Sequence, residues 1–320
     1  MISARIDPEL RAALAIIGGV FPPTITPALV PFMRRSYASS PRERLLETFA
    51  VEVVDTAFRT FDGVEIPASV ISPLGLESAA DPRPAIVSFH SGGLMFGDRF
   101  SGMDPMLDMV ERLGARLVTV DYRLAPEHPY PVPLEDCYAA WESVIDGADH
   151  LGIDRRRVIL GGASAGGGLA AAVALLARER GGPRATGMLL DYPMLDDRCA
   201  TASMTELEGI VVWDRVSNQT GWEAYLGERS GGEDVPWAAA PGRAPDLSEL
   251  PPAYLDVGTV DVFHDETVAF AARLRRAGVP AELHVWPGAF HACDVFAPHT
   301  SIARAMIRAR REWVRRVLFG

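Results

Sequence analysis

Arg157-Val-Ile-Leu-Gly-Gly-Ala-Ser-Ala-Gly-Gly-Gly168 reads as a short apolar strand (Val158, Ile159, Leu160), a tight turn with Ser164 at its apex, and the start of a helix-forming run that continues through Leu169 to Arg178. Gly162 and Gly166 flank the serine by two positions, as a sharp elbow requires, because backbone presses on backbone there and a Cβ finds no room. The elbow lifts the hydroxyl out of the sheet. The first amides of the following helix point back at the turn, so a negative charge developing beside Ser164 would meet donors and a favourable dipole. An ordinary strand-to-helix turn could use the same residues, since the chain has 29 glycines. A phosphate-cradling loop is excluded: it needs a lysine after its glycines, and all 31 basic residues are arginine. Gly166-x-Gly168-x-x-Ala171, with Asp191 about where a ribose-binding acid would stand, matches a degenerate dinucleotide fingerprint. That fingerprint should follow its strand directly, and here Ala163-Ser164-Ala165 intervenes. A nucleophilic serine on an elbow and an ordinary strand-to-helix turn are the readings that this stretch leaves.

Around this elbow, apolar strands alternate with helices. Val51–Phe58 and Val64–Ile71 are expected to form a hairpin about Asp62-Gly63, a hairpin turn signal. Strands are expected at Ala85–Phe89, Leu117–Asp121, Val158–Leu160, Met188–Tyr192, Ala253–Val257 and Glu282–Trp286. Helices are expected at Ser101–Gly114, Leu134–Gly147, after Ser164, at Asp265–Ala277 and at Ser301–Leu318. Near-continuous apolar strands separated by helices mean an α/β fold with a mostly parallel sheet covered on both faces. Ligands on such sheets bind beyond the carboxyl ends of the strands.

Two segments interrupt the alternation. Residues 1–45, with the proline-rich apolar stretch Phe21–Phe32, and an insertion at 200–235, with Trp213, Trp222 and Tyr225, are expected to form a lid over a core made of 46–199 and 236–320. Phe21, Phe32, Trp213 and Trp222 would give that lid an apolar lining, although lids are also apolar simply to pack. At 320 residues, with 48% hydrophobic and 23% charged residues, the chain can bury a sizeable core without staples. A net charge of −11 argues against nucleic acid and anionic membrane surfaces as partners. Cys137, Cys199 and Cys293 show neither paired nor metal-binding spacing, so reduced thiols, a cytoplasmic location and no metal are expected. The apolar run Ala12–Val20 is preceded by Asp7 and Glu9, where a secretion signal would be basic; Asp7-Pro8-Glu9 reads instead as a helix N-cap and first turn. No stretch is long and apolar enough to span a membrane.

A serine hydroxyl becomes a nucleophile only when a base takes its proton and an acid holds that base in the right tautomer. Of seven histidines, His291 lies best: it follows Ser164 in the chain and sits in the loop Pro287–His291 after an expected strand. For the acid, Val257–Glu266 offers rivals. Asp265 is placed to cap the following helix and Asp256 reads as part of a strand, which leaves Asp261 at the crest of the loop. An oxyanion hole is expected in His90-Ser-Gly-Gly93, directly after the strand Ala85–Phe89, with Leu94, Met95 and Phe96 as an apolar wall.

Taken together, His90–Gly93, Asp121-Tyr-Arg-Leu-Ala-Pro-Glu-His-Pro129, Gly162–Gly167, Asp191-Tyr-Pro-Met-Leu-Asp-Asp197, Asp261–Asp265 and Pro287–His291 resemble, in order and over residues 50–318, the bacterial hormone-sensitive-lipase-like esterases of the α/β-hydrolase superfamily. The resemblance implies an eight-stranded sheet with a helical cap and a carboxylesterase of short- to medium-chain acyl esters that uses no cofactor. Ser164, Asp261 and His291 would be the triad, and the amides of Gly92, Gly93 and Ala165 the oxyanion hole. His90 and the 121–129 motif would be structural, and the last strand and helix a dimer interface. Two positions depart from the pattern: Ser91 replaces a usual glycine, and Ala163 a usual aspartate or threonine. Other acyl-transfer chemistry (lactonase, amidase, acyltransferase) would use the same triad. A non-catalytic ligand-binding protein, as the plant gibberellin receptors are, would lack the histidine that His291 supplies. Cys293, two residues beyond His291, either lines the pocket or fills the core. On the last helix, Ile302, Ala305, Met306, Ala309, Trp313 and Val317 mark the apolar stripe.

Overall fold

The computed structural model describes residues 5–18, 21–37, 39, 42–75, 82–207, 209 and 212–320. Within the expected lid, residues 1–4, 19–20, 38, 40–41, 208 and 210–211 therefore lie outside the described residues. Eight strands, β1 (Val51–Arg59), β2 (Glu65–Pro73), β3 (Arg83–Phe89), β4 (Arg116–Val120), β5 (Ile153–Ala163), β6 (Gly187–Asp191), β7 (Ala253–Val260) and β8 (Ala281–Phe290), form one sheet in the order β1-β2-β4-β3-β5-β6-β7-β8. The hairpin β1/β2 and the pair β2/β4 are antiparallel, and the remaining pairs are parallel. The helices are α1 (Pro8–Ile17), α2 (Val30–Ser36), α3 (Arg42–Thr48), α4 (Asp104–Leu113), α5 (Val132–Asp146), α6 (Ala165–Arg180), α7 (Ala202–Glu206), α8 (Arg215–Leu226), α9 (His264–Arg276), α10 (Cys293–Phe296) and α11 (Ser301–Phe319). Among the described residues, no helix is long and apolar enough to cross a membrane.

The strand order decides where a site can form. From β3 the chain moves outward to β4, then returns to place β5 on the other side of β3. The loops leaving β3 and β5 therefore diverge at the carboxyl end of the sheet and leave a crevice between them. The oxyanion-loop candidate follows β3 and Ser164 follows β5, so both flank that crevice. Helix α6 is buried from Ala165 through Ala177. Its small residues let it lie close to the sheet: a Cβ on Gly166 would meet the Phe89 carbonyl oxygen at 1.9 Å. The start of the helix is thus pressed against the end of β3.

The expected elements are present with shifted ends. The elbow strand extends from Val158–Leu160 to the whole of β5. The last strand continues through Pro287–Phe290, which the sequence placed in a loop, because those residues still pair with β7 beyond a bulge between Gly258 and Val260. Asp265 does not cap α9, which begins one residue earlier; its carboxylate accepts the Ser203 N–H at 2.9 Å and pairs with His264. On α11 the buried face is Ala303, Met306, Arg310, Trp313, Val314 and Leu318, so the apolar stripe is rotated from the expected one and has an arginine at its centre.

The N-terminal segment and the 200–235 insertion are bound to each other. Asp214 caps α8 by accepting the Ser217 N–H at 2.8 Å. It also accepts the Thr24 hydroxyl, and Ser217 Oγ accepts the Ile25 N–H at 2.8 Å. Arg34 on α2 donates to the carbonyls of Met95 and Ala125 and forms a two-pronged pair with Glu127.

Candidate active site

Ser164 sits at the elbow with φ +57°, a conformation that a residue with a side chain adopts only where its surroundings impose it. Here the imposition is visible. Its N–H donates to the Asp191 carbonyl at 2.9 Å, its carbonyl accepts from Met194, and the flanking Gly162 and Gly166 are packed against backbone. Ser164 Oγ lies 3.0 Å from His291 Nε2, and His291 Nδ1 lies 2.9 Å from Asp261 Oδ2. Asp261 Oδ1 accepts the Phe263 N–H at 3.0 Å, which orients the carboxylate towards the imidazole. All three side chains are buried. Tyr192 and Phe263 set their ring edges against His291. The three predicted residues thus come from the carboxyl ends of β5, β7 and β8 into one continuous chain of contacts. The rival acid Asp265 is engaged elsewhere, and Asp256 faces Arg310.

The loop after β3 is held open by its glycines. Gly92 has φ +120° and Gly93 has φ +58°. The ring of Trp213 lies flush on Gly93, where a Cβ would meet it at 2.2 Å. Among the described residues, the amides of Gly92, Gly93 and Ala165 have no acceptor. His90 behaves as a support. It stacks on Tyr122 with centroids 4.1 Å apart, its Nδ1 lies 2.7 Å from the Ser91 carbonyl, and its own carbonyl accepts the Tyr122 hydroxyl. Burial pushes the His90 pKa down, so the ring is neutral at pH 7 and donates from Nδ1. The 121–129 motif is likewise a set of ties. Asp121 pairs with Arg99, Arg123 bridges Asp62 and Asp136, and Glu127 holds Arg34.

A narrow pocket covers Ser164 and is walled by Phe21, Tyr37, Phe96, Val212, Trp213 and Phe296. Of the four aromatic residues expected to line it, Phe21 and Trp213 do. Phe32 lies on a wider hollow that adjoins the pocket at Phe21, Tyr37 and Phe296, and Trp222 packs on Tyr225 beyond the oxyanion loop. Cys293 does not reach the pocket: it is fully buried, its thiol points at Met306, and burial pushes its pKa well up. Asp191, the acid of the dinucleotide reading, is buried beside Arg310 and closes that reading. Among the described residues, no three His, Cys, Asp or Glu side chains converge where a metal ion could be held.

Two contacts escaped the sequence reading. The Tyr37 and Ser91 hydroxyls are 3.0 Å apart, so the residue that departs from the family pattern fastens the N-terminal segment to the oxyanion loop. Arg310 joins three buried aspartates. Its signal was present, since a charged residue on the apolar face of a helix demands partners.

Comparison with known proteins agrees with this fold. The family model for the alpha/beta hydrolase fold matches residues 86–295. A carboxylesterase of Mycobacterium tuberculosis, NlhH, is 35% identical over 303 residues, which cover 91% of this chain and 90% of that protein. Esterase LipI of the same organism is 37% identical over 209 residues, 63% of this chain, and the match spans 62% of LipI. Among solved structures, a bacterial heroin esterase superposes with a TM-score of 0.88 at 35% identity, covering 100% of both chains. Esterase LipW of Mycobacterium marinum gives 0.86 at 31% identity, covering 99% of this chain and 98% of that one. The elbow, the sheet order and these relatives agree, and the chain belongs to the α/β-hydrolase fold family, in its hormone-sensitive-lipase-like branch.

Proposed function

We propose that this protein is a serine carboxylesterase of short- to medium-chain acyl esters, with Ser164 as nucleophile, His291 as base and Asp261 as its acid. The observation that carries the reading is the unbroken contact from Ser164 Oγ through His291 to Asp261 at 3.0 and 2.9 Å. In the first half-reaction Ser164 Oγ attacks the ester carbonyl carbon while its proton passes to His291 Nε2. The Asp261 carboxylate stabilises the imidazolium, and the amides of Gly92, Gly93 and Ala165 receive the oxyanion. Collapse breaks the carbon–oxygen bond to the alcohol, which leaves with the proton from His291. Water, deprotonated by the same imidazole, then attacks the acyl-enzyme and releases the acid and free Ser164. No cofactor takes part in these steps.

Residues 1–45 and 200–235 form the cap in this reading, over a core of 46–199 and 236–320. Trp213 on Gly93, together with Phe21, Phe96 and Phe296, limits the acyl group. Hydrolysis of p-nitrophenyl esters from acetate to dodecanoate tests both points. Turnover is expected for the shorter chains and to fall by about tenfold or more by dodecanoate, as each methylene that outgrows the pocket loses its contribution. A folded protein that turns over none of the series would overturn the esterase reading. We further place the protein in the cytoplasm as a homodimer through β8 and α11. β8 is the edge strand and leaves Val285 exposed, a surface that a second copy would cover. Light scattering is expected to give twice the chain mass of 34.6 kDa, and a monomeric mass refutes this interface.

A further inference from the structure

Arg310 is fully buried, and so are Asp191, Asp256 and Asp294 around it. Its guanidinium takes Asp256 in a two-pronged grip, Nε to Oδ2 and Nη2 to Oδ1, both at 2.9 Å. Nη1 donates to Asp294 Oδ2, and Asp191 Oδ1 lies 3.1 Å from Nε. The Tyr192 ring covers the guanidinium carbon at 5.3 Å. Burial works against the arginine's charge, but the surrounding carboxylates outweigh it and push its pKa up. Burial pushes the carboxyls of Asp191 and Asp256 up in turn. Such a cluster is costly to assemble and contributes little to stability over an apolar core of the same shape. Its placement is therefore informative.

Each carboxylate belongs to a segment that delivers one member of the triad or pairs with the strand that does. Asp191 ends β6 and pairs in register with Ala163, and its carbonyl holds the Ser164 N–H. Asp256 lies on β7, the strand that leads to Asp261. Asp294 follows His291 by three residues, in the four-residue helix α10. Between them Ala292 has φ +57°, so the turn that carries the histidine sits in a left-handed conformation that needs support from outside. Its polar and sulfur contacts come from α11: Asp294 to Arg310, and Cys293 Sγ to Met306 Sδ at 3.5 Å, while Phe296 at its far end packs edge-on against Phe21.

We propose that Arg310 is a positioning residue for catalysis, which aligns the His291 turn with Ser164 and Asp261 by gripping Asp294 and Asp256, with Asp191 at ion-pair distance, from the last helix. The proposal rests on the triad reading above. In it the terminal helix sets the reach of the base.

The test compares Asp294→Ala, Asp294→Asn and Arg310→Lys with the wild type in steady-state ester hydrolysis, each shown to be folded by circular dichroism and assayed well below its melting transition. In Asp294→Ala the turn loses its anchor, and kcat is expected to fall by about ten- to a hundredfold, the effect of a small misplacement of a catalytic group. KM should stay within about twofold, because Asp294 does not line the substrate pocket. Asp294→Asn keeps an acceptor for Nη1 and should recover most of the loss. Arg310→Lys keeps the buried cation but cannot grip in two directions, and should resemble Asp294→Ala. Wild-type kcat in folded Asp294→Ala or Arg310→Lys overturns the proposal. So does failure of both to fold, since the cluster would then hold the core and not the turn. A wild type without esterase activity would instead sink the triad reading, and is seen before any variant is compared.

Discussion

Ser164→Ala is expected to fold as the wild type does and to lose about a millionfold in kcat, as removal of a triad nucleophile can. The folding half follows from the site. Among the described residues the hydroxyl's hydrogen-bond partner is His291 Nε2, and alanine has the same Cβ, so the elbow at φ +57° is no more strained than before. The activity half follows from the chemistry, since without the oxygen no acyl-enzyme forms. What remains is catalysis by the oxyanion amides and by substrate binding. Ser164→Ala/His291→Ala should be little worse than either single change, because the two side chains act as one unit. Measured with p-nitrophenyl acetate, a folded Ser164→Ala that keeps more than about a hundredth of wild-type kcat, against that millionfold expectation, would remove Ser164 from the nucleophile's role.

Asp261→Asn is the second large effect, with kcat expected to fall by about ten-thousandfold. The change is nearly isosteric, and the Phe263 N–H that holds Asp261 Oδ1 can hold an amide oxygen equally well. What fails is the tautomer. An asparagine NH2 turned towards His291 Nδ1 favours the form whose proton sits on Nε2, facing Ser164 Oγ, where it can no longer accept the serine proton. The control is Asp265→Asn. Asp265 is bound to Ser203 and His264, so its loss should leave kcat within about threefold, as for a residue outside the triad. Equal losses in the two variants, or a larger one at Asp265, would reassign the acid.

The choice between Asp261 and Asp265 shows how far the chain could be read in advance. Its order of strands and helices was legible because apolar periodicity and glycine turns act within a few residues of one another. The elbow was legible for the same reason. Placement of the loops beyond the strands then narrowed the histidines to His291 and the acids to one segment. The ends of elements were less legible: β8 runs through Pro287–Phe290 because its neighbour β7 continues to pair with it, a fact that resides in β7. The Asp265 cap failed likewise, since the backbone enters α9 one residue early and Ser203 claims the carboxylate from another element.

Lining and support were the least legible. Phe21 and Trp213 reach the pocket while Phe32 and Trp222 do not, although all four are aromatic residues of the same two segments. Arg310 stood among many arginines on α11; its place on the apolar face signalled buried partners, but nothing near it in the chain names the three aspartates it meets.

The sequence by itself determined an α/β chain with a parallel sheet, a serine raised on an elbow, and the order serine, aspartate, histidine along the chain. These depend on local sterics and periodicity, which each residue shares with its near neighbours. Only the tertiary structure decided that His291, 127 residues from Ser164, stands at hydrogen-bond distance from it, and that Arg310 closes on carboxylates 16 and 54 residues away. Pairing of buried charges depends on the groups that folding carries into a common dry volume. Distance along the chain does not record that meeting.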